Sequence, residues 1–254
     1  MTENTLTNGS LGWFYRQILP TSETDKLPVV LLHGIPSQSY SWRGVMPALM
    51  EYGFRAIAPD WLGHGFSDKP DKRDFSYIPD AYIQALDEFL ETLDLTPCHL
   101  VVQGFLGSVG IQYALRNPEK IDRLVILNTP LSSTVKLPWK MKLWGVPFVG
   151  DMLTQDPLLI DRTLEGGSGF VIQDEDLDMY RRPFLQTSDT GRSLLATVQN
   201  LQLLKVTSEI AKGLSEWKKP TQIIWGMNDP WLLSDNAEVF SDRPNFDFDP
   251  LPEA

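Results

Sequence analysis

Few residues in this chain could carry covalent or acid–base chemistry, and their spacing limits what that chemistry could be. The sequence holds three histidines, His33, His64 and His99, and one cysteine, Cys98. Nucleophilic catalysis needs a reactive side chain beside a base, with a third group orienting that base. The stretch Gln103-Gly104-Phe105-Leu106-Gly107-Ser108 has the composition of a sharp turn, and its one hydroxyl, Ser108, lies at the far end. An acid, Asp229, follows the apolar run TQIIW at 221–225. Cys98 opens an apolar strand and reads as a buried, inert thiol rather than a nucleophile or a metal ligand.

Two other patterns resemble ligand sites but lack the required parts. Asp174, Asp176 and Asp178 alternate like the opening of a calcium loop. Such a loop needs Gly sixth and Glu twelfth, where this chain has Met179 and Leu185. The acids read instead as the first turn of a helix, where negative charge meets the positive end of the helix dipole. GGSGF at 166–170 has no Gly-Lys-Ser/Thr ending and reads as a turn between helices. No metal or cofactor is expected.

The elements that must position these groups alternate. Short β-rich runs fall at 11–19, 28–33, 54–59, 99–104 and 121–128. Between the later ones lie helical patterns, the clearest spaced as Ile78, Tyr82, Leu86, Phe89, Leu90 and Leu93, and a further helix over 108–117. This alternation predicts an α/β domain with a mostly parallel sheet. The pattern stops at Thr129-Pro130. Residues 131–219 read as a helical lobe cut by Pro138, Pro147, Pro157 and Pro183. Strand character returns at 221–225, followed by a helix near 235–241 and a last run, NFDFDPL. The expected division is therefore core (1–130), helical cap (131–219) and the rest of the core (220–254).

Composition excludes some partners. With 33 acidic against 22 basic residues the net charge is −11, which argues against nucleic acid and anionic membranes. The polar start MTENTLTNGS lacks the apolar core of a signal peptide, and no run approaches the ~20 apolar residues of a membrane span. A cytoplasmic location is expected.

Three motifs in order, VVLLHGIPSQSYSWRGVMPAL, RAIAPDWLGHGFSDKP and LVVQGFLGSVGIQYALRNPE, resemble the α/β-hydrolase family, in particular its haloalkane dehalogenase and epoxide hydrolase branch. WGMND at 225–229 looks like the family's late strand and acid loop, and the similarity runs from about Trp13 onward. The resemblance implies a nucleophile at the elbow after strand 99–104. It also implies an acid at Asp229, a histidine after the last strand, and an oxyanion hole from the backbone N–H groups of Ile35 and Phe105. His33 occupies a strand-end position that the family uses structurally.

This chain departs from the pattern at its centre. Counting back from Pro118-Glu119, where the elbow helix ends, puts Gly104 at the nucleophile position. Ser108 is the alternative, but it would place Leu106 where a small residue is needed and shorten the helix. Phe105 and Ile35 stand where the branch's dehalogenases grip halide, and neither side chain has an N–H to offer. None of the three histidines follows the last strand. The sequence stops at Asp249-Pro250-Leu251-Pro252-Glu253-Ala254, where the family's Gly-His and last helix would begin, and truncation of a longer frame is the expected reason. A missing helix should leave apolar sheet surface uncovered. The expected function is that of a hydrolase-family protein for small apolar esters, epoxides or haloalkanes, inactive by the usual covalent mechanism. The alternative is a non-catalytic binder of a small apolar molecule in a pocket beneath the cap.

Overall fold

A computed structural model describes residues 1–240 and 243–253. Eight strands form one sheet in the order β1-β2-β4-β3-β5-β6-β7-β8. They are β1 (Thr2–Asn8), β2 (Leu11–Ile18), β3 (Val29–Leu32), β4 (Ala56–Pro59), β5 (Cys98–Gln103), β6 (Ile121–Leu127), β7 (Thr221–Gly226) and β8 (Phe246–Leu251). The first two pair antiparallel, β2 joins β4 antiparallel, and every later pairing is parallel. The fold is therefore the expected α/β arrangement.

Strand β1 was not expected. Its sequence, TENTLTN, is polar because an edge strand buries little side-chain surface, so hydrophobic periodicity does not mark it. It is held by backbone pairing with β2 and by buried Arg16, which donates to Glu3 (2.8 Å) and to Ser39 Oγ (2.7 Å).

The central strands are apolar on both faces, as strands covered on both sides must be. Val30 and Leu32 face the larger core, together with Leu86 and Phe89 of α2 (Pro79–Thr92) and Val109 of α3 (Gly104–Arg116). Val29 and Leu31 face a smaller cluster closed by Met46 of α1 (Val45–Glu51) and by Trp42. On that second face Val125, Leu127 and Ile224 are only half-buried.

The 131–219 segment is helical: α4 (Trp139–Trp144), α5 (Val149–Thr154), α6 (Leu158–Ser168), α7 (Asp174–Gln186), α8 (Asp189–Asn200) and α9 (Leu203–Glu216). Helix α9 packs on α3 of the sheet layer, with Arg116 donating to both carboxylate oxygens of Glu209. Three local expectations change. Only the last glycine of GGSGF makes the expected turn: α6 runs through Gly166 and Gly167, and the left-handed turn comes at Gly169. Pro183 does not cut its segment, since α7 continues across it. The helix expected over 108–117 starts four residues earlier, at Gly104. Near the end, α10 covers only Asp235–Glu238 and gives way to a turn at 239–240, while residue 241 of the expected helix lies outside the described residues. No helix among the described residues is long and apolar enough to cross a membrane.

Candidate functional site

The turn from β5 into α3 is built around Gly104, whose φ is +68°. A left-handed conformation crowds a Cβ against its own backbone, and glycine avoids that cost. The second reason for glycine is proximity. A Cβ on Gly104 would stand 3.0 Å from Gly34 Cα and 3.9 Å from the Ile35 nitrogen. A Cβ on Gly34 would meet Gly104 Cα and the Gln103 carbonyl oxygen, each at 3.1 Å. The two glycines let the loop after β3 lie directly on the turn after β5. Any side chain at 104 would therefore start against the Gly34–Ile35 backbone.

The N–H of Phe105 belongs to the first turn of α3, where the helix itself supplies no partner, at the positive end of the helix dipole. The elbow thus keeps a shape that could hold an oxyanion while offering no nucleophile at its tip. Ser108 does not fill the role. It is buried inside the helix, and its Oγ donates to the Phe105 carbonyl oxygen at 2.6 Å.

Asp229 lies in the loop after β7 and accepts three hydrogen bonds. Its Oδ1 accepts the N–H groups of Trp231 (2.7 Å) and Leu232 (3.0 Å), and its Oδ2 accepts the Asn128 amide (2.8 Å). Burial raises its pKa, while these three bonds pull the other way. Asn128, at the end of β6 with φ +33°, also donates to the Gly226 carbonyl (3.2 Å) and accepts the Gly226 N–H (2.8 Å). Sequence reasoning missed Asn128. Its signal was an Asn directly after a buried strand, a residue that tolerates positive φ.

The histidines are occupied elsewhere. His33 is fully buried at the end of β3. Its Nδ1 bonds the Gly34 carbonyl oxygen (2.7 Å) and its Nε2 accepts the Trp61 N–H (3.1 Å), which fixes the tautomer and ties β3 to the loop after β4. His64 lies 6.1 Å from it, centroid to centroid, and bonds Thr197 Oγ1 at 3.1 Å. Burial lowers the pKa of both, and His64 falls further because His33 and Lys69 face it. His99 stands 3.3 Å from Asp122, and burial lowers its pKa too. Burial pushes the Cys98 thiol up to about 12, which keeps it protonated and inert.

The three alternating aspartates open α7, and their carboxylates are taken by cations of the protein. Asp174 and Asp178 accept from Arg181, which also grips Asp161. Asp176 reaches back to the sheet domain, accepting from Tyr40 Oη at 2.8 Å and from Arg43 at 2.5 Å.

A cavity of about 690 Å³ opens within the helical segment. Its walls come from α4 and α6 and from Pro230 and Trp231, the residues following Asp229. Ile35, Gly104 and Phe105 do not line it. Trp231 can stand there because α6 carries Gly167, where a Cβ would come within 2.5 Å of the indole ring.

Against known proteins, residues 28–248 match the model of a family described as alpha/beta hydrolase fold. A cis-3-alkyl-4-alkyloxetan-2-one decarboxylase of Shewanella oneidensis is 31% identical over 217 residues, covering 80% of this chain and 67% of the relative. Haloalkane dehalogenase 1 of Mycobacterium tuberculosis is 28% identical over 208 residues, covering 81% and 69%. A loop variant of haloalkane dehalogenase DbeA from Bradyrhizobium elkanii superposes with a TM-score of 0.83 at 20% identity, covering 98% of this chain and 88% of that one. At that identity the superposition speaks for the fold alone.

Proposed function

The chain belongs to the alpha/beta hydrolase fold family, and from that premise we propose that it binds a small apolar molecule without performing the family's covalent chemistry. The observation that carries the reading is Gly104 at the tip of the turn, with φ +68° and the Ile35 N–H 3.9 Å from where a Cβ would begin. Oxyanion donors without a nucleophile can polarise a bound carbonyl but cannot form an acyl- or alkyl-enzyme bond. Losing that step costs several powers of ten in rate.

Two further observations support it. Asp229, at the acid position, spends its carboxylate on Asn128 and on the backbone of its own loop. None of the three histidines bonds that acid, and His33 and His64 are buried and bonded to other groups. The apolar character of the ligand rests on the aromatic and aliphatic cavity beside Trp231. It agrees with the relatives, whose names specify an alkyl-substituted oxetanone and a haloalkane.

A panel of p-nitrophenyl esters, haloalkanes and epoxides tests the reading. No turnover above buffer is expected from the folded protein. Turnover that disappears in Ser108→Ala would overturn it and make Ser108 the nucleophile.

A further inference from the structure

The cavity beside Trp231 is bordered by charge of the sign opposite to that of the chain as a whole. Between Asp122 and Asp151 there is no acidic residue, whereas Arg123, Lys136, Lys140 and Lys142 fall in that stretch. In a chain of net charge −11 this is a local reversal of sign. Two of those cations, Lys136 and Lys140, line the cavity. Neither forms an ion pair among the described residues; the Lys140 ammonium lies 6.0 Å from the centre of the Trp139 ring. The third cation on the lining, Arg162, is already neutralised by Asp156. Two uncommitted positive charges therefore border a chamber whose walls include Trp144, Leu159 and Trp231.

We propose that this cavity binds an amphiphilic monoanion, a medium-length alkyl chain ending in a carboxylate, with the tail against Trp144, Leu159 and Trp231 and the headgroup at Lys136 and Lys140. The assignment deepens the preceding reading and rests on it. A volume of about 690 Å³ suits a molecule of that class, since small-molecule sites run from about 300 to 1,000 Å³. Burying the tail supplies most of the affinity through the apolar area removed from water. The lysines contribute selectivity, since each is an exposed ion-pair partner of modest strength. A neutral or cationic headgroup would gain nothing at that rim.

Helix α6 provides a way to block the site without disturbing the fold. Leu159, Arg162, Thr163 and Gly166 all line the cavity at the spacing of one helical face. A Cβ on Gly166 would meet nothing within 4 Å. Gly166→Leu would extend the apolar stripe into the cavity, and it replaces a poor helix former with a good one.

The experiment titrates the protein with dodecanoate, dodecanol and dodecyltrimethylammonium below their micellar concentrations, following tryptophan fluorescence and heat. Dodecanoate is expected to bind about three- to tenfold more tightly than dodecanol, the size of one or two exposed ion pairs, and the ammonium most weakly. The double variant Lys136→Ala/Lys140→Ala should equalise dodecanoate and dodecanol, and Gly166→Leu should abolish binding of both while the melting temperature holds or rises. Equal affinities in the unmodified protein, a carboxylate preference surviving the lysine changes, or unaltered binding in Gly166→Leu would each overturn the assignment. Dodecanol binding that Gly166→Leu blocks, without any preference for carboxylate, would leave the apolar-ligand reading standing. Failure of all three probes to bind would remove both.

Discussion

Asn128 and Asp229 form one polar unit across the ends of β6 and β7: the Asn128 amide donates to Asp229 Oδ2 at 2.8 Å and brackets the backbone of Gly226 from both sides. The carboxylate's other oxygen orders the turn that carries Trp231. At this position in the chain the acid holds a cavity wall in place.

Asn128→Ala should therefore destabilise the fold by about 1–3 kcal/mol, because it leaves the Gly226 N–H and one Asp229 oxygen without a partner in a half-buried site. Urea denaturation checks the magnitude. Dodecanol binding should weaken in parallel, since Asp229, which holds Trp231, loses the amide that positions it; full stability in the variant would show that the three bonds contribute nothing.

Gly104→Ala should cost about 1–2 kcal/mol, the penalty of placing a Cβ in the left-handed region. The contact with Gly34 Cα at 3.0 Å adds to it. A lowered melting temperature is the expected result. An unchanged one would mean that the β5–α3 turn relaxes out of positive φ.

Buried His64 sets a pH dependence. Burial, and then the charges of His33 and Lys69, hold its folded-state pKa well below the ordinary value near 6.5. Below about pH 6.5 the unfolded chain binds a proton that the folded chain refuses, so stability should fall as pH drops from there. His64→Gln should be less steeply pH-dependent than the parent, by at most about 1.4 kcal/mol per pH unit for one group. Parallel slopes in urea titrations of the two proteins would contradict the assignment.

Asp176 ties the helical segment to the sheet domain through Tyr40 and Arg43. The pair with Arg43 is partly exposed, so Asp176→Ala should change global stability by no more than about 1 kcal/mol. Local opening of α7 should nevertheless increase, which amide hydrogen exchange over residues 174–186 would detect. Unchanged exchange there would show that the tie does not hold α7 down.

The sequence by itself determined the fold class, the succession of the central strands and helices along the chain and the identity of the residue at the elbow. Those features leave local traces: β-rich runs that must be apolar on both faces, helices with apolar spacing, and a glycine counted back from Pro118. It did not reveal β1, because a polar edge strand is specified by pairing with β2 rather than by its own pattern. Nor did it reveal that α6 runs through Gly166 and Gly167. Two glycines read locally as a turn, and only the tryptophan from a distant loop, seated at 2.5 Å from where a Cβ on Gly167 would be, explains why a glycine stands at that helical position. The partnership of Asn128 with Asp229, separated by 101 residues, was likewise decided by the tertiary structure. A hydrogen bond between strand ends depends on which strands lie side by side, and that is fixed by packing rather than by either residue's neighbours in the chain.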